Sequence, residues 1–346
     1  GRGVLWSPPW KGPRRWRLPR FGSVADVRCC GRATSSRRIA TPDVERQCSR
    51  GVLKFVLSAS VASAFSMRTE HEPRRVAGRI VGPREWILSI YGNFVREFGG
   101  WIAVADLLEL LETFGSAPSA SRAAISRMKR NNELQSESRD GRSGYSLTGA
   151  AEEWFRDGSE RILRPTHAPE TTSWVLASFS VPEQDRSARY KIRARLKGLG
   201  FGQVSAGLMI VPVAVFGEAQ RALVRSGLDE YVELWEAEHR GFGPASIVVS
   251  DAWDLPAIRS AFDEYRRIAS DLTGGPAPTS TRQSFIDYMA AMHAWRELPF
   301  LDPGLPTSLL PDDWPAADAL RLFVKVSARL RAPARRYAIT VMTAEG

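Results

Sequence analysis

Gly115–Leu147, GSAPSASRAAISRMKRNNELQSESRDGRSGYSL, is the stretch whose reading decides the fold. Its first half is a short helix carrying Arg122, Arg127, Lys129 and Arg130 with no acid. At 100° per residue, Ser121, Ala124, Ile125 and Met128 share one face at the i, i+3, i+4, i+7 spacing of a core-facing stripe. Ser119, Arg122, Ala123, Ser126 and Arg130 fall on the opposite face, with Arg127 at its edge. Small side chains flanked by arginines suit entry into a major groove, where bulk is excluded and guanidinium forks read guanine or grip phosphate.

The second half is a hairpin. Leu134–Ser138 and Ser143–Leu147 are strand-like arms around Arg139-Asp140-Gly141-Arg142, and Asp-Gly is a strong tight-turn signal because the favoured turn needs positive φ at both central residues. Arg139 and Arg142 are therefore expected at the tip of a protruding ribbon. A helix followed by a basic-tipped hairpin is the order of a winged helix-turn-helix. The plainer reading is a solvated basic helix beside an ordinary hairpin. Agreement of the apolar stripe, the acid-free helix and the tipped hairpin favours DNA.

Global charge adds nothing to that argument. The chain of 346 residues has a formal net charge of +10, but residues 1–66 hold 13 Lys/Arg against 3 Asp/Glu, and residues 67–346 are balanced at 35 of each. The three cysteines, Cys29, Cys30 and Cys48, also lie in that leader, so the rest of the chain has no thiol for a disulfide, a zinc site or a nucleophile. No run of about 18 apolar residues marks a membrane span. A cytoplasmic, nucleoid-associated protein is expected.

Residues 1–78 read as a disordered or non-native leader, rich in Arg, Pro, Gly and Ser, with Met67 as the expected native start. The rival reading is a targeting segment, since Val52–Ala64 is apolar and the leader is acid-poor; Lys54 interrupts that run. Residues 79–165 form the first module. Trp86, Ile87, Ile90, Phe94 and Val95 give one helix face before Gly99-Gly100, Trp101–Ala103 a short strand, and Val104–Phe114 a second helix with Leu107, Leu108 and Leu111 inward. Ser116 or Ser119 is the expected N-cap of the third helix, and Thr148–Leu163 a fourth helix. A break at Arg164–Pro169 opens a central domain, 172–251, whose β-α-β-β-α-β order predicts a ferredoxin-like fold. Residues 252–340 read as helices at Leu255–Leu272, Ser284–Arg296 and Ala316–Leu330, separated by the proline-rich 298–315. The fold class is thus α+β: an N-terminal winged helix-turn-helix, a central ferredoxin-like domain and a helical C-terminal domain.

Three stretches resemble the PaaX-type repressors of phenylacetic acid degradation. They are SRAAISRMKRNNELQSESRDGRSGYSLT (121–148), the pair Gly200-Phe201-Gly202 and Ala252-Trp253-Asp254-Leu255, and HAWRELPFLDPGLPTSLLPDDWP (293–315), whose proline spacing is the most specific. The likeness covers roughly residues 80–335. It implies a GntR-like winged-helix repressor with a Cas2-like central domain, acting as a homodimer on palindromic operator DNA and released by phenylacetyl-CoA or another acyl-CoA. The chain departs from the family at Ser121, where an apolar residue is common, near Asn132-Glu133, where Gly and an apolar residue are common, and at Gly141–Gly144, where two adjacent arginines are usual.

In this reading Ser119, Arg122, Ala123 and Ser126 face base edges, Arg127, Lys129 and Arg130 grip phosphates, and Arg139 and Arg142 touch the adjacent backbone or minor groove. Arg193, Trp295 and Arg296 are the candidates for effector contacts between the central and C-terminal domains. No catalytic residue, metal ligand or cofactor is expected. The histidines His71, His167, His239 and His293 have no i+3 or i+4 partner, and Gly198–Gly202 follows a helix rather than opening one, so it is a helix-ending turn and not a dinucleotide loop. Two alternatives stand beside repression. One is a Cas2-like metal-dependent nuclease, disfavoured because the first central strand ends without Asp and Asp185 lies beyond its proline. The other is a non-catalytic protein-interaction scaffold.

Overall fold

The computed structural model describes residues 75–76, 79–163 and 173–343. The expected leader (apart from Arg75-Val76), the Met67 start and the break at 164–169 lie outside these residues. The element order opens with the two-residue strands β1 (Arg75–Val76) and β2 (Arg79–Ile80), which pair with each other. Helix α1 (Pro83–Asn93) follows, begun by Pro83 at its first position, where no backbone donor is needed. Gly99 and Gly100, at φ 83° and 72°, end the short 3-10 turn Val95–Phe98 and turn the chain into β3 (Trp101–Ala103).

Helices α2 (Val104–Glu112) and α3 (Pro118–Arg130) come next. Leu107, Leu110 and Leu111 of α2 are buried, and Leu108 is only partly so. Strands β4 (Leu134–Arg139) and β5 (Arg142–Leu147) form the hairpin, and β3 adds to β5, giving the antiparallel order β3-β5-β4. Asp140 and Gly141 take φ 50° and 77°, as the sequence predicts for a tight two-residue turn. The strands continue through Arg139 and Arg142, which pair with each other across the turn. Helix α4 (Gly149–Leu163) is started by Thr148, whose hydroxyl accepts from the Ala151 N–H at 3.3 Å and donates to the Asn132 carbonyl at 2.6 Å.

The N-cap of α3 is a correction. Neither Ser116 nor Ser119 caps it; Ala117 holds that place without a side-chain bond, and Pro118 at the first helical position starts the helix by its fixed φ and missing donor.

The central segment runs β6 (Ser173–Phe179), α5 (Arg186–Gly198), β7 (Gly202–Ser205), β8 (Leu208–Pro212), α6 (Phe216–Arg225) and β9 (Val232–Glu238), with sheet order β7-β8-β6-β9, all antiparallel. This is the β-α-β-β-α-β order read from the sequence. Strand alternation divides its residues. Val175, Ala177, Phe179, Met209 and Val211 join α5 and α6 in one core, while Trp174 and Ile210 face a second core on the other side.

That second core also holds helices α7 (Ala245–Ala252), α8 (Leu255–Gly274), α9 (Thr281–Trp295), α10 (Leu298–Leu301) and α11 (Ala316–Thr343). It is continuous with the core of the first module. Three features depart from the sequence reading. Helix α7 was not expected, α10 opens the stretch 298–315 that reads as too proline-rich for a helix, with Pro299 tolerated in its first turn, and α11 runs past Leu330 with Pro333 inside it. Proline normally ends a helix, but Leu330, Ala334, Ala338 and Val341 continue a buried stripe across it, and packing outweighs the lost bond.

The family-like glycines are explained by contact. Gly200 has φ 92° and ends α5. A Cβ there would stand 2.8 Å from the Phe300 carbonyl, and one on Gly202 would stand 2.7 Å from the Trp253 ring. Trp253 Nε1 donates to the Gly200 carbonyl at 2.9 Å. The two resembling stretches around positions 200 and 253 therefore touch, and the proline-rich stretch closes over them.

Candidate nucleic-acid interface

Helix α3 has two faces, divided as the wheel predicts. Ser121, Ala124, Ile125 and Met128 are buried, and Ser119, Arg122, Ala123, Ser126, Arg127, Lys129 and Arg130 are all exposed. Helices α1 and α2 hold the buried face. Burial of three apolar side chains there stabilises the docking by several kcal/mol at about 25 cal/mol per Å². Among the described residues, no acid pairs with Arg122, Arg127 or Arg130. The Lys129 ammonium lies 5.6 Å from the Tyr145 ring centre, on the side toward the hairpin. The four cations thus spread across the solvent-exposed side of α3, with Lys129 at the edge toward the hairpin, and give that side the positive charge a polyanion site requires.

The seat of this helix is fixed on both sides. Asn132, at φ 57°, turns the chain from α3 into β4; asparagine tolerates this left-handed conformation better than most residues. Glu133 accepts a two-pronged bond from Arg84 of α1, at 2.9 and 3.1 Å. The departures from the resembling family near Asn132-Glu133 therefore carry a turn and a strut of their own.

The finger's arginines behave differently from those of the helix. Arg139 donates to the Glu137 carboxylate at 2.7 Å and to the Gly99 carbonyl at 3.2 Å, and its guanidinium lies 5.6 Å from the Trp101 ring centre. Its hydrogen bond is the main reason the Glu137 carboxyl titrates below the usual carboxylate range. Arg142 is bonded to Asp106, an acid of α2 that is nearly buried and whose second oxygen has no partner. Both arginines flank the turn, half-buried and held by the module's own acids. The sequence could show the turn but not these acids, which stand 36 residues away in the case of Asp106.

The three candidate effector residues are not brought together. Trp295 is buried among Tyr265 and Phe323 and donates to the Ile162 carbonyl at 2.9 Å. Arg193 donates to the Ala206 carbonyl. Arg296 alone lines a large cavity, 3.9 Å from Glu85. His293 is buried, with its ring 5.4 Å from Trp86. Asp185 sits in the short turn Glu183–Asp185 beyond β6, and among the described residues no three His, Cys, Asp or Glu side chains gather as metal ligands would. Among the same residues no helix is long and apolar enough to cross a membrane.

Comparison with known proteins agrees along the chain. Residues 83–151 match the family model described as PaaX-like protein, 167–249 the PaaX protein central Cas2-like domain, and 253–340 the PaaX-like protein C-terminal domain. The chain belongs to the PaaX family. The Transcriptional repressor PaaX of Escherichia coli (strain K12) is 25% identical over 255 residues, which is 72% of this chain and 80% of that protein. Among solved structures, the uncharacterized protein Rv0674 from Mycobacterium tuberculosis covers 75% of this chain with 99% of its own, at 22% identity and a TM-score of 0.47. The sheet β7-β8-β6-β9 of this PaaX-family chain lies within the stretch matched as Cas2-like, and α3 and the hairpin lie within the first match.

Proposed function

We propose that this PaaX-family protein is a transcriptional repressor that grips double-stranded operator DNA with a winged helix-turn-helix made of α2, α3 and the β4–β5 finger. The observation that carries the reading is the exposed, acid-free face of α3. Arg122, with Ser119, Ala123 and Ser126, is placed to meet base edges; Arg127, Lys129 and Arg130 meet phosphates. Arg139 and Arg142 reach the duplex only by exchanging Glu137 and Asp106 for phosphate, so their net contribution is smaller than that of the helix.

The same reading includes a homodimer. Two copies of α3 related by a two-fold axis read the half-sites of a palindrome. It also includes release from DNA by an aromatic acyl-CoA such as phenylacetyl-CoA, supported by the kinship with a protein named as a repressor and by the resemblance set out above.

A gel shift on the DNA upstream of the protein's own gene, with and without phenylacetyl-CoA, tests it. The expected result is a retarded band that disappears with ligand. No retardation at low salt contradicts DNA binding, and a probe degraded in magnesium points to the nuclease alternative.

A further inference from the structure

Arginines from two parts of the chain hold the turn Glu97–Gly99. From the finger, Arg139 donates to the Gly99 carbonyl at 3.2 Å. From the last helix, α11, Arg331 and Arg335 both pair with Glu97, and the Arg335 guanidinium lies 4.6 Å from the Phe98 ring centre. Three consecutive residues thus join the finger to a helix that follows it by more than 150 residues in sequence.

That helix is basic along its length. Residues 319–343 hold six Lys or Arg and no Asp or Glu. Arg321 is engaged by Asp318, and Arg329 by the Thr273 and Gly275 carbonyls at 2.8 and 2.6 Å. Toward the turn, Leu330, Ala334, Ala338 and Val341 face inward, which leaves Arg331, Ala332, Arg335 and Arg336 exposed. Three guanidinium groups there share the single carboxylate of Glu97, and among the described residues no acid pairs with Arg336. Exposed pairs of this kind are weak, so a stronger anion can take the place of Glu97.

We propose that this end of α11, at Arg335 and Arg336, is a second DNA contact, made to the phosphate backbone outside the base pairs that α3 reads. The inference rests on the repressor reading of α3 and extends its footprint. Two observations carry it: the uncompensated charge, and its continuity with the finger through Glu97–Gly99. Helix α11 also packs on α2, one of the two helices that seat α3. Entry of α3 into a groove therefore fixes where the end of α11 lies. Arginine contacts to phosphate carry no sequence information; they add affinity, register and salt dependence. A surface made for an acidic protein would leave the length of a duplex without effect.

Duplex length tests the assignment on the full chain. One probe is the shortest duplex from upstream of the gene that the parent retards, and the other is the same duplex lengthened at each end by one helical turn, about 10 base pairs, of arbitrary sequence. The parent is expected to bind the longer probe about threefold more tightly or better, with a steeper salt slope. Arg335→Gln with Arg336→Gln is expected to remove that gain, to lower the slope on the longer probe by about two, and to leave the shorter probe bound as by the parent. Arg336→Gln alone is expected to reduce the gain. Arg240→Gln, which removes one charge from an exposed arginine after β9, is expected to keep it. Equal affinity of the parent for both probes overturns the assignment. So does a gain retained by the double variant, a loss of equal size on both probes, or a gain abolished equally by Arg240→Gln. Parent binding to the short probe keeps the two readings apart: α3 stands as a DNA reader there even if length has no effect, whereas retardation of neither probe at low salt removes both.

Discussion

Arg122 is the side chain on which sequence preference is expected to depend. Arg122→Ala should cost about 1–3 kcal/mol of operator affinity and narrow the gap between specific and random duplex, measured by fluorescence anisotropy. Lys129→Ala should instead weaken all duplexes alike and reduce the salt slope by about one. Ser121 lies on the other face, buried with an unpartnered hydroxyl. Ser121→Ala removes a desolvated hydroxyl and should raise stability by about 1 kcal/mol in urea unfolding. The wheel placed Ser121 on the inward face, so its burial was legible. Its missing partner was not, because that depends on what α1 and α2 bring across from it. The same division holds for Arg142: its place beside the turn followed from Asp-Gly, and its engagement by Asp106 needed the fold.

At the scale of the element, the hairpin depends on Gly144. A Cβ there would stand 2.4 Å from both the Ile102 carbonyl and the Trp101 ring. Gly144→Ala should therefore push β3 off β5 and cost about 1–3 kcal/mol in thermal or urea unfolding. Its φ is not positive, so the constraint is close approach and not backbone strain. Asp302 organises the proline-rich stretch in a comparable way. It accepts from the Gly304 and Leu305 N–H groups and from Trp314 Nε1, at 2.8–3.1 Å. Burial pushes its carboxyl above the usual range even though these donors favour the charged form. Asp302→Ala should cost about 2–3 kcal/mol, about one for each lost bond. Periodicity gave most helices and strands here to within a few residues. It missed α7, a short segment of unremarkable pattern, and stopped α11 at Leu330 because the cost of Pro333 is local whereas the stripe that overrides it is read only against its neighbours.

Across the whole molecule, the N-terminal module and the C-terminal helices share one core. Trp86 stacks on Phe114 at 4.1 Å, Phe114 and Phe94 both meet Phe285 at about 5.5 Å, and the Tyr288 hydroxyl reaches Asn93 Oδ1 at 3.3 Å. Arg331 and Arg335 of α11 add ion pairs to Glu97. Residues read from sequence as separate domains are thus joined through Phe114, which lies just before the turn into α3. The aromatic residues were visible as helix stripes, but nothing in their spacing says which stripes pair. DNA binding by the basic face of α3 is open to one direct measurement. Anisotropy titration of an operator duplex across a salt series should give a steep fall in affinity for the parent, and a lower affinity with a shallower slope for Arg122→Ala/Lys129→Ala. Parent-like affinity and slope in that double variant would place DNA binding elsewhere or nowhere on this chain.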